Sequence, residues 1–291
     1  MLTRQITPAA WADLDRLPAV GRWVTSGRSR LHVLDYGGPG TPLLVLPGIT
    51  SPAATLDFVA RELSDLVRPL VLDVRGRGLS DTGTGHTLTE YAEDAEAVVR
   101  ELGLERPLLF GHSMGARIAA AVAVRGRVAV RGAVLADPPL SGPGRGPYPT
   151  SLAVFQEQLA EAVRGTDGDE VARWWPRWPR EEQEARARWL ASCDGGAVAA
   201  SHHGFEHEDF FDWWPRVPCP VTLLYGAQSP VVTAAGAAEA AAALPSARLE
   251  QVPDCGHMIF WDNPSGGLRA LRRALRRVPC SVLADPSDRG P

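Results

Sequence analysis

The most chemically suggestive stretch of the chain is Gly111-His112-Ser113-Met114-Gly115. It lies between a short apolar run at 107–110 and an alanine-rich helical pattern at 114–124. A serine in the pattern G-x-S-x-G at a strand-to-helix turn exposes its hydroxyl, and the flanking glycines let the two backbone segments approach. A serine hydroxyl is a weak nucleophile and needs a base beside it. Of the seven histidines, His257 stands just past the strand expected at 248–252 and is the candidate base. His112 adjoins the serine, but neighbouring residues on such a turn point apart, so it takes a structural or pocket role.

The base needs an acid that fixes its tautomer and stabilises the imidazolium. The loop after the strand at 220–225 reads Tyr225-Gly226-Ala227-Gln228-Ser229-Pro230 and holds no carboxylate. The strand at 128–136 ends instead in Asp137-Pro138-Pro139. Functional groups in open α/β sheets gather at the carboxyl ends of strands, and Asp137 keeps the chain order Ser…Asp…His. A turn-initiating aspartate before two prolines would read the same way; the empty alternative position favours the catalytic reading. Asp254 and Asp262 lie too close to His257 in sequence for an easy contact with Nδ1. Attack on a carbonyl also requires donors for the developing oxyanion. The N–H of Met114 is one, and the N–H of Ile49, in Leu46-Pro47-Gly48-Ile49-Thr50, is the other.

Other clusters carry less. His203 and His207 sit at i, i+4 with Glu206, Glu208 and Asp209 nearby, but no convergent third ligand marks a zinc site. No metal and no cofactor is therefore expected. Asp73-Val-Arg75-Gly76-Arg77-Gly78 lacks the full dinucleotide fingerprint; Arg75 and Arg77 read as ties from that loop to neighbouring backbone. Arg117, four residues after the serine, reads equally as a buried ion pair or as the partner of a substrate carboxylate. Tryptophans at 174, 175, 178, 189, 213 and 214 divide between packing and pocket lining. Arg117, Trp174 and Trp178 are the candidate substrate-binding residues.

Positioning these groups falls to alternating strands and helices. Residues 30–36 alternate like an antiparallel edge strand, and 43–46 form a wholly apolar central one. A helix is expected at 51–63, a strand at 69–74, and a helix at 89–102 with Thr87 or Thr89 as its N-cap. After the strand at 128–136 the alternation stops, and it resumes at 220–225 with a helix at 233–243, a strand at 248–252 and a helix at 265–277. The arginines of that last helix lie opposite Leu268, Leu271 and Leu275, as on a solvated outer face. The expected organisation is an α/β core from 1–137 and 215–278, a helical insertion at 138–214, and a loose tail at 279–291.

Composition narrows the classes. The 291 residues are 45% hydrophobic and 22% charged, with a net charge of −4, which is no nucleic-acid binder's balance. All 30 basic residues are arginine, which excludes a lysine Schiff base and a phosphate-loop lysine. The four cysteines are scattered and read as reduced thiols. No signal-peptide pattern and no apolar run of membrane-spanning length is visible. A soluble, cytoplasmic protein acting on a small molecule is expected.

With these motifs in place, the chain resembles the α/β-hydrolases. Four stretches resemble more narrowly the N-formylmaleamate deformylases of bacterial nicotinate breakdown: Leu46-Pro-Gly-Ile-Thr-Ser-Pro52, Asp73-Val-Arg-Gly-Arg-Gly-Leu-Ser80, Gly111-His-Ser-Met-Gly-Ala-Arg117 and Asp137-Pro-Pro-Leu-Ser-Gly-Pro-Gly144. In that family the triad acid is the aspartate of the Asp-Pro-Pro segment, which is Asp137 here. The resemblance implies an α/β-hydrolase fold with an inserted helical cap. It implies a serine hydrolase that opens the C–N bond of a small anionic N-formyl amide to give formate and maleamate, with an arginine meeting the carboxylate. A carboxylesterase or amidase acting on another small acid is the alternative, and a ligand-sensing protein of the same fold is an alternative of another class. Dehalogenase and epoxide hydrolase chemistry is disfavoured, because those relatives carry an aspartate where Ser113 stands.

Overall fold

The computed structural model describes residues 4–279. In chain order its strands are β1 (Val20–Ser26), β2 (Ser29–Asp35), β3 (Pro42–Leu46), β4 (Arg68–Leu72), β5 (Leu108–His112), β6 (Gly132–Ala136), β7 (Val221–Gly226) and β8 (Arg248–Val252). They pair in the order β1-β2-β4-β3-β5-β6-β7-β8. The pairings of β2 with β1 and with β4 are antiparallel, and all the others are parallel. The helices are α1 (Pro8–Leu14), α2 (Asp57–Leu63), α3 (Leu88–Glu101) and α4 (Met114–Arg125), then α5 (Leu152–Arg164), α6 (Gly168–Trp174), α7 (Arg180–Trp189) and α8 (Gly195–His207) between β6 and β7, then α9 (Ala234–Ala243), α10 (Ile259–Asp262) and α11 (Pro264–Arg276).

The sheet is mostly parallel because its central strands are apolar on both faces and can be covered by helices on both sides. The period of two divides each strand between two cores. Leu44, Leu46, Leu109 and Leu135 pack on one face, and Leu43, Val45, Phe110 and Val134 on the other. Helix α3 begins at Thr87, whose side chain and that of Glu90 form a reciprocal capping box. Helix α11 buries Ala270, Leu271, Ala274 and Leu275 and turns Arg272 outward to Asp65.

Two elements differ from the sequence reading. The antiparallel edge expected at 30–36 is the second strand from the edge, because β1 pairs outside it. Most of β1 is exposed, so no apolar alternation marks it. The short helix α1 is pinned by its Thr7 cap and by Arg188, which donates to Asp13 at 2.6 Å. No helix among the described residues is long and apolar enough to cross a membrane. Cys193, Cys219 and Cys255 are free; Cys280 and residues 280–291 of the expected loose tail lie outside the described residues.

Helix α7 lies over the start of α2, and Glu182 comes beside Asp57 and Glu181 there. Burial, reinforced by those two negative neighbours, pushes its pKa from 4.5 up to about 7. A carboxyl that holds its proton more tightly when folded adds stability below its unfolded pKa, and that contribution is lost as pH rises toward 7. Glu182→Gln, which keeps the side chain neutral, should raise the urea midpoint over the parent at about pH 8 and much less at about pH 5. An equal change at both pH values would contradict this.

Candidate active site

Parallel strands end together, and the three residues picked out from the sequence stand at those ends. Sheet hydrogen bonds run right up to them: the Ser113 N–H donates to the Ala136 carbonyl at 2.8 Å, and the Asp137 N–H donates to the Leu224 carbonyl at 2.8 Å. Ser113 has φ 56° and ψ −119°, a strained conformation that turns its side chain out of the strand. The tightness of the turn explains its glycines. A Cβ on Gly111 would lie 2.1 Å from the Gly115 carbonyl oxygen, and one on Gly115 would lie 1.8 Å from that of Leu46.

The Ser113 hydroxyl donates to His257 Nε2 at 2.9 Å, and His257 Nδ1–H donates to Asp137 Oδ2 at 2.7 Å. Asp137 is fully buried, with φ 50°. Its carboxylate accepts two further bonds, from the Ser229 hydroxyl at 2.5 Å and the Gly226 N–H at 3.2 Å. Ser229 lies in the loop where the sequence shows no acid, so that loop contributes a donor to an acid held by the neighbouring strand. This line of groups can move a proton from the serine to the imidazole and hold the resulting cation.

The ring of His112 lies 5.1 Å from that of His257 and its Nε2–H donates to the His257 carbonyl at 3.0 Å. Burial, aided by the neighbouring imidazole, lowers its pKa to about 3. It is therefore neutral and anchors the His257 backbone. Ile49 lies in the loop folded over Ser113; a Cβ on Gly48 would be 3.5 Å from that of Ser113. Buried Arg77 holds this loop. It donates to the Ile49 carbonyl at 2.9 Å, to the Tyr91 hydroxyl at 2.8 Å and to Ser201 of α8 at 2.9 Å. Met114 opens α4, where the first backbone N–H groups have no partner within the helix.

Ser113 and His257 face a cavity of about 40 Å³. Its other walls include Tyr148, Phe155, Trp175 and Arg186. Arg186, from α7, is buried and has no carboxylate partner among the described residues. It donates to Gln158 Oε1 at 2.9 Å and to the Thr50 carbonyl and hydroxyl oxygens at 3.3 Å. Its guanidinium lies 5.9 Å and 5.8 Å from the Trp175 and Trp178 ring centres. Burial pulls its pKa down to about 10, so it remains a cation at neutral pH.

The three residues expected to bind substrate lie elsewhere. Arg117 turns away from the cavity: its guanidinium donates to the Glu208 carbonyl and lies over Phe205 at 5.7 Å. Trp174 donates to Glu161 at 3.0 Å. Trp178 is stacked between Trp175 and Trp261. Helical spacing does not say which way a long side chain turns, and here α8 and the segment after it offer Arg117 a carbonyl. Sequence reasoning missed Tyr148, Arg186 and Ser229, whose only signals were an ordinary arginine-rich helix and two loops. His207, of the weighed metal cluster, donates from Nδ1 to the His203 carbonyl at 2.8 Å.

This architecture has a clear match among protein families. Residues 41–264 fit the family model of the alpha/beta hydrolase fold. The chain belongs to that hydrolase family. It is 38% identical to the N-formylmaleamate deformylase of Pseudomonas putida, over 85% of this chain and 93% of the relative. It is 28% identical to a 2-(acetamidomethylene)succinate hydrolase of Mesorhizobium japonicum, over 89% of this chain and 96% of that one. The crystal structure of an N-formylmaleamic acid deformylase from Pseudomonas putida superposes on this hydrolase with a TM-score of 0.82 and 36% identity, covering 87% of this chain and all of that one.

Arg77 sets the loop over Ser113 through bonds to neutral groups alone. Arg77→Met should lower folding stability by about 2–4 kcal/mol, read from denaturant unfolding, by leaving those acceptors unpaired. Arg77→Lys should recover only part of the loss, since an ammonium cannot match a fork of donors. Full recovery by lysine would contradict the assignment.

Proposed function

We propose that this chain is a serine hydrolase that opens the C–N bond of a small anionic N-formyl amide, N-formylmaleamate or a close analogue, releasing formate and the parent amide. The observation that carries the reading is Arg186: a buried cation without a carboxylate, on the wall of the cavity that contains the Ser113 hydroxyl. Burying an unpaired guanidinium is costly, and a substrate carboxylate is the group that would offset it. The names of the relatives support a small amide that carries an acid group.

In the proposed reaction Ser113 is the nucleophile, His257 the general base and Asp137 the residue that orients the imidazole. The Ser113 oxygen attacks the formyl carbon as its proton passes to His257 Nε2. The N–H groups of Ile49 and Met114 receive the oxyanion, helped by the positive end of α4. The C–N bond then breaks and His257 returns the proton to the leaving nitrogen. Water, activated by the same imidazole, releases formate from the serine. No cofactor enters. Residues 138–214 act as a cap that shapes the cavity, because both Tyr148 and Arg186 come from it. The free thiols of Cys193, Cys219 and Cys255 support a cytoplasmic setting.

Incubating the purified protein with N-formylmaleamate and measuring formate tests this reading. Ser113→Ala should abolish release. Arg186→Met should lower kcat/KM by about 30-fold or more, mostly through KM, as expected for a lost charged anchor. Formate release with an unchanged KM in Arg186→Met would remove the arginine from the account. Absence of release by the parent protein would overturn the substrate.

A further inference from the structure

Tyr148 has no part in the proposed reaction so far, yet its hydroxyl oxygen is 3.3 Å from His257 Nε2, the atom that also accepts from Ser113 at 2.9 Å. The phenol is buried. Its ring is held 4.9 Å from that of Phe205 on α8 and stacked 6.3 Å from that of Phe155 on α5. Burial raises its pKa well above the usual phenol range, so it stays a neutral donor.

We propose that Tyr148 is a further catalytic residue that hydrogen-bonds the leaving group as the C–N bond breaks. This role rests on the proposed function and on where the serine proton goes. In the resting site the single lone pair of Nε2 is directed at two hydroxyls, and the shorter contact is to Ser113. Once Ser113 has attacked, Nε2 carries the proton and can no longer accept a bond from Tyr148. The tyrosine proton is free to turn to another acceptor at that moment.

The leaving nitrogen must come within reach of Nε2 to collect its proton, so the group attached to it passes the Tyr148 hydroxyl. In an N-acyl amide that group carries a carbonyl next to the leaving nitrogen, and its oxygen gains negative charge as the bond breaks. A bond from Tyr148 to that oxygen is stronger in the transition state than in the bound substrate, which is the condition for raising kcat. One bond forms, between the serine oxygen and the formyl carbon, and one breaks, between that carbon and nitrogen. The serine proton reaches the nitrogen through His257, and the tyrosine proton remains on tyrosine.

Tyr148→Phe keeps the ring and removes the donor. Formate release from N-formylmaleamate should fall about 10- to 100-fold in kcat with KM changed less than about threefold. Hydrolysis of p-nitrophenyl formate, whose nitrophenolate departs unaided, should fall far less. The rate of Ser113 labelling by a small alkyl fluorophosphonate, which needs the serine and imidazole but no donor to the leaving group, reports whether those two groups remain aligned. Equal falls in all three readouts would assign Tyr148 to structure alone, and no fall in formate release would likewise overturn the proposal. Should the parent protein release no formate from N-formylmaleamate, the substrate reading fails by itself. Tyr148 is then tested by comparing N-formylacetamide, whose leaving nitrogen also bears a carbonyl, with p-nitrophenyl formate, where the same split in kcat is expected and its absence overturns the proposal.

Discussion

A buried carboxylate must meet an imidazole at the carboxyl edge of the sheet, and much of the fold is organised around that contact. Asp137 has no exposure to solvent and adopts a positive φ at the end of β6. An ionised carboxylate in such a place is tolerated only when its oxygens are hydrogen-bonded. The Ser229 hydroxyl and the Gly226 N–H meet that need from β7 and its following loop. The pairing of β6 with β7 therefore does more than extend the sheet: it brings donors to the buried carboxylate oxygens beside His257.

Three buried arginines join the inserted helices to the strand framework. Arg77 bonds Ile49 and Ser201, Arg117 bonds the Glu208 carbonyl, and Arg186 bonds Thr50. None of the three has a carboxylate within hydrogen-bond reach among the described residues. A guanidinium spreads its charge over a planar fork of five donors and is weakly hydrated, so it can satisfy several neutral acceptors at once where an ammonium cannot. In a chain without lysine, these seams are places where arginine and lysine are not interchangeable. Only Arg186 also faces the cavity.

How much of this could be read from the sequence depended on whether a constraint was local. The turn around Ser113 was legible because two glycines and a strand–helix switch are needed within five residues. The central strands were legible because burial on both faces leaves continuous apolar runs. Asp137 could be inferred by elimination, since the loop after β7 has no acid. Strand β1 was not legible because its exposed face carries no alternation. Arg186 was hidden among thirty arginines, because orientation on a helix is decided by neighbours far away in the chain. Arg117 shows the same limit from the other side: its position beside the serine suggested the cavity, and a carbonyl brought close by the inserted segment decided otherwise. Tyr148 lay in an irregular loop, where no periodicity links it to His257.

The central claim is that the acid acting on His257 is supplied before the inserted helices, by Asp137. Comparing kcat for Asp137→Asn with that for Asp254→Asn, an exposed neighbour of His257 in sequence, tests it most directly. The account predicts a fall of about 10⁴-fold for the first, as for other amides placed at this position of a triad, and a change of less than about threefold for the second. Comparable activity in Asp137→Asn and the parent protein, or a larger loss at Asp254, would contradict it.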